Sequence, residues 1–101
     1  MYGKIKNMVN DKGNSIPNQF IIEQEGRGFL GNFISRKIFQ SYDSVIAVKT
    51  TWEDKTVIEL DEYYWDYSKT TNKYRSIFLR ETTAETMAKI KSGEYILTNL
   101  N

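Results

Sequence analysis

The chain has 101 residues, no histidine, no cysteine and a formal net charge of +1. Without imidazole or thiol groups it lacks the commonest general bases, thiolate nucleophiles and zinc ligands, and near-neutrality argues against strong non-specific binding to nucleic acid. The length suits one domain, and the lack of cysteine favours the reducing cytoplasm over a disulfide-stapled secreted scaffold.

The pattern then resolves into elements. Lys4–Val9 alternates polar and apolar residues, as a half-buried strand does. Asn10-Asp11-Lys12-Gly13-Asn14-Ser15 is dense in turn formers and reads as a loop. Gln19–Gln24 reads as the next strand, with Glu25-Gly26-Arg27-Gly28 as its hairpin turn. Gly28–Tyr42 carries helical spacing of apolar residues but also glycines at 28 and 31, and reads as one long or interrupted strand. Ser44–Thr51 and Thr56–Leu60 are β-branched runs around Trp52-Glu53-Asp54-Lys55, the clearest hairpin in the chain.

The last third changes character. Thr70 or Thr71 is expected to cap a short helix to about Leu79, with Tyr74, Ile77 and Phe78 inward. A second helix carries a capping box, Thr82 with Glu85, and a stop at Gly93. Met87, Ile90 and Ala84 are its expected inner face. Tyr95–Thr98 returns as a final strand. The expected fold is therefore α+β: a mostly antiparallel sheet of five to six strands, with two short C-terminal helices packed on one face. No apolar h-region follows Met1 and no apolar run approaches the ~20 residues that span a bilayer, so neither export nor a membrane location is expected.

Charge is distributed unevenly. Residues 1–40 carry six basic and three acidic side chains, residues 41–68 two and seven, and residues 69–101 six and three. The acidic middle is either solvated surface charge or a patch that meets a basic partner. No catalytic constellation stands out. Asp61, Glu62 and Asp66 invite comparison with a carboxylate pair or a hard-cation site, but their spacing matches no EF-hand loop, and cap or turn roles account for them as well. Gly26-Arg27-Gly28 and Gly28-Phe29-Leu30-Gly31 are too short for a phosphate loop. No cofactor and no metal is expected.

The densest stretch runs from Leu60 to Arg75. Tyr64, Trp65 and Tyr67 suit either core anchors at a strand-to-helix junction or a protein-binding hot spot. Three segments, Phe39-Gln40-Ser41-Tyr42-Asp43-Ser44-Val45-Ile46-Ala47, Tyr64-Trp65-Asp66-Tyr67-Ser68-Lys69-Thr70-Thr71 and Lys89-Ile90-Lys91-Ser92-Gly93-Glu94-Tyr95, resemble a family of small uncharacterised proteins of bacteriophages, prophages and mobile elements. The resemblance covers residues 39–101, with Gly28–Lys37 standing as an insertion. It implies a cytoplasmic protein, monomeric or weakly self-associating, that binds a host protein or ribonucleoprotein of a defence system, as anti-CRISPR proteins do. The expected contact residues are Glu53, Asp54, Asp61, Glu62, Tyr63, Trp65 and Asp66. The alternative is a nucleic-acid or nucleotide binder using Lys4, Lys6, Arg36, Lys37, Lys69, Lys73, Arg75 and Arg80, with tyrosines to stack bases.

Overall fold

The computed structural model describes residues 2–26 and 34–101. The elements are β1 (Tyr2–Val9), β2 (Ser15–Glu25), β3 (Ser35–Ser41), β4 (Ser44–Thr51), β5 (Thr56–Asp61), α1 (Lys69–Leu79), α2 (Thr83–Ser92) and β6 (Ile96–Thr98). The strands form one six-stranded sheet in sequence order, antiparallel except for β6, which lies parallel to β5. The fold is α+β, with the element order read from the sequence. The parts of the hairpin and long-strand readings that fall on residues 27–33 lie outside the described residues.

Period-2 alternation sends successive side chains to opposite faces of the sheet. Phe39, Ala47 and Leu60 share one face and are fully buried there with Ile46, Met8 and Tyr95. Tyr74, Phe78 and Leu79 of α1 and Ile90 of α2 pack against that cluster, so both helices cover the same face. Phe78 stacks on Phe39 at 5.8 Å between ring centres.

Three local expectations need correction. Helix α1 is capped by Ser68, not by Thr70 or Thr71: Ser68 is extended (φ −152°, ψ 162°) and its hydroxyl accepts from the Thr71 amide. Thr71 is instead buried, its hydroxyl 3.2 Å from that of Ser41. Ile77 and Met87 point outward, 53% and 41% exposed, and Ala84 is exposed as well. The buried position of α2 is Thr86, whose hydroxyl donates to Glu81 and to the Thr82 carbonyl. Strand β2 is also longer than expected. Pro17 and Asn18 (φ 63°) sit where the β1–β2 register shifts, so the proline falls at an irregularity that spares the ladder. The Thr82–Glu85 capping box and the left-handed Gly93 stop are both present.

Candidate functional site

The strand directions decide which acidic residues meet. Glu53 and Asp54 lie at the exposed turn between β4 and β5, closed by the Trp52 amide on the Lys55 carbonyl at 2.7 Å. Asp61, Glu62 and Asp66 lie at or beyond the other end of β5, about 17 Å away at ~3.3 Å per residue. The expected acidic hairpin is therefore two separate groups. Asp54 instead borders a hollow with Arg36, Lys55 and Glu59, where the signs alternate.

Asp61 is not a surface residue. It is 1% exposed. One carboxylate oxygen accepts from the Tyr63 and Tyr64 amides (3.1 and 2.9 Å), the other from the Leu100 amide and the Asn101 side chain (2.8 and 3.0 Å). Burial alone would push its carboxyl up, but these four donors hold it below the usual carboxylate range. Its work is to knot the β5 exit to the C-terminal segment. Among the described residues no cluster of three or more metal-ligating side chains occurs.

That knot presents an aromatic end. The rings of Tyr63, Tyr64 and Tyr67 form a triangle with centre distances of 4.7, 5.3 and 6.1 Å. Tyr63 and Tyr67 are 70% and 61% exposed, whereas Tyr64 leans on the core. Tyr64 and Tyr67 line a cavity of about 240 Å³ together with Ser41, Tyr42, Asp43, Ser44, Ile46, Ser68 and Thr71. Tyr42 is 55% exposed and left-handed (φ 57°), a conformation that costs a non-glycine residue roughly 1 kcal/mol or more. Glu62 and Asp43 are exposed near it, so three tyrosines and these carboxylates gather at one end of the sheet.

Behind this surface sits a buried cation. Arg75 is 0% exposed, its guanidinium 5.3 Å over the Trp65 ring. It donates to the Trp65 carbonyl, to Asn72 Oδ1 at 3.0 Å and to Thr83 Oγ1 at 2.7 Å. Burial lowers its pKa, opposed by the charges of Asp66 and Glu81. Asp66 accepts from Asn72 at 2.6 Å, which places it on the same network as well as at the surface. Trp65 is half-buried and packs against the core, so its ring serves the junction more than the surface.

The sequence reading therefore located part of this end (Glu62, Tyr63, Trp65, Asp66) and missed Tyr42 and Asp43. Their signal was available, since the motif Gln40-Ser41-Tyr42-Asp43-Ser44 is one of the segments singled out. What joins it to Tyr64–Thr71 is the antiparallel pairing of β3 with β4 and the Ser41–Thr71 contact.

A model of a family of unknown function matches residues 3–95. The chain belongs to that family, DUF8033. The match takes in both cavity-lining segments and the N-terminal hairpin. No curated protein and no solved structure matches the chain. Among the described residues no helix is long and apolar enough to cross a membrane. Within DUF8033, then, the geometry of this chain supplies the functional clues.

Proposed function

We propose that the protein acts by stoichiometric binding rather than catalysis, presenting an aromatic end rimmed by carboxylates to a basic site on a partner protein. The observation that carries this reading is the convergence of Tyr42, Tyr63 and Tyr67, all more than half exposed, around one cavity beside Asp43 and Glu62. Exposed large aromatics are costly to leave in water and are over-represented among residues that dominate binding energy. Carboxylates at the rim speed encounter with a basic surface and select against acidic ones. The likeness to short phage and prophage proteins gives the partner class: a nucleic-acid-binding component of a host defence complex in the bacterial cytoplasm, of the kind that anti-CRISPR proteins occupy.

Comparative affinity capture from bacterial lysate tests this reading, with the parent and Tyr63→Ala/Tyr67→Ala as baits. A protein retained near one-to-one by the parent and lost with the variant is expected. Retention of the same proteins by both baits would overturn the assignment of the site.

A further inference from the structure

A second surface, on the helix-bearing face but away from the tyrosines, is built from like charges. Lys37 and Lys49 are direct cross-strand partners on β3 and β4, and Glu23 on β2 is the direct partner of Lys37. Side chains so paired sit about 5 Å apart, and two like charges in that position oppose pairing. Lys6 and Arg80 complete a groove of about 360 Å³ over this row, walled by Ile77 at the C-terminal end of α1. Glu23 is the carboxylate of the groove, and it already bridges Lys6 at 2.8 Å. Glu25 lies two residues further along the same face of β2. Lys37, Lys49 and Arg80 are exposed. Arg80 holds a left-handed C-cap conformation (φ 58°) that glycine would adopt without strain. The Glu23 carboxyl is held below its ordinary range first by its bond to Lys6, against burial, and further by Lys6, Lys37 and Lys4, which confirms how closely these cations crowd it.

We propose that this groove binds the phosphate backbone of a single-stranded nucleic acid, on a surface distinct from the tyrosine end. Two ammonium groups at the spacing of neighbouring strands can grip one phosphate between them, and a bound anion relieves their mutual repulsion. The row Glu23–Lys37–Lys49 runs across the strands, so a phosphodiester chain crossing the sheet meets its cations in succession. An acidic peptide laid along the strands meets them one at a time. The groove has no exposed aromatic ring: Phe78, which lines it, is engaged with Phe39. Binding is therefore indifferent to base sequence and strongly dependent on salt.

Fluorescence anisotropy with labelled oligothymidylate tests the proposal, using the full chain at a series of salt concentrations. The parent is expected to bind at low salt. Lys37→Gln/Lys49→Gln is expected to weaken binding about tenfold, and to lessen the slope of log K against log salt by about 1.4, at about 0.7 per lost phosphate contact. The same variant should melt no lower than the parent, because it removes a like-charge pair. Tyr63→Ala/Tyr67→Ala should bind the oligonucleotide as the parent does, which separates failure of this proposal from failure of the tyrosine site. No binding by the parent, or equal affinity and slope for the lysine variant, would overturn the proposal. So would tighter binding of polyglutamate that displaces the oligonucleotide, which would assign the groove to an acidic protein.

Discussion

Asp61 and Glu81 show how far a single charged residue can depart from its appearance in the sequence. Asp61 accepts four hydrogen bonds, two of them from residues 39 and 40 positions away. Glu81 accepts from Thr86 (2.6 Å), Lys89 (3.0 Å) and Tyr95 (2.5 Å). Burial pushes the Glu81 carboxyl up, but these donors and the Lys89 charge bring it below its ordinary range, while burial and Glu81 push the Tyr95 hydroxyl up to about 12. Asp61→Asn should cost about 2–4 kcal/mol in equilibrium denaturation, because the amide turns an N–H group toward backbone donors. Both carboxylates are more acidic folded than unfolded. Their stabilisation is complete above the unfolded pKa near 4 and is lost as pH falls through the lower folded values. Melting curves should show acid destabilisation of the parent below about pH 4, with Asp61→Asn and Glu81→Gln converging on it there. Melting points of parent and variants that stay equally separated down to acid pH would contradict this. None of this was legible from sequence, since the donors come from distant segments and both residues look like ordinary surface acids.

Among the elements, what the sequence showed was what neighbouring residues decide. The capping box at Thr82–Glu85, the Gly93 stop, the β4–β5 hairpin and the alternation of β1 all depend on residues within a few positions of each other. The α1 cap was misplaced because Ser68, Thr70 and Thr71 are all acceptable caps locally. The choice is made by Ser41, which takes the Thr71 hydroxyl. Ser68→Ala should accordingly cost about 1 kcal/mol, as cap losses do, and Thr70→Ala close to nothing; chemical denaturation of the two side by side checks the assignment. Helical periodicity likewise put Ile77 and Met87 inward because it could not know that Arg75 and Thr86 would take the buried stripe. Trp65→Ala removes both core packing and the ring beneath the Arg75 guanidinium, and is expected to lose about 3 kcal/mol. A loss under ~1 kcal/mol would mean that the junction tolerates its absence.

Across the whole molecule, the acidic bias of residues 41–68 is real as composition but not as a surface. Strand β5 carries its two ends apart, and Asp61 withdraws into the interior. What survives is an aromatic end with Asp43, Glu62 and Asp66 at one pole of the sheet and a basic row under the end of α1. Charge separation of this kind orients a small protein of net charge +1 as it approaches a partner. The most direct test of binding through the aromatic end is the association rate of the captured partner with the parent and with Asp43→Asn/Glu62→Gln, measured across salt concentrations. The amide variant should fold as the parent does, associate several-fold more slowly at low salt and show a flatter salt dependence, because exposed carboxylates steer encounter more than they stabilise the fold. Equal association rates at low salt, with equal salt dependence, would contradict the assignment.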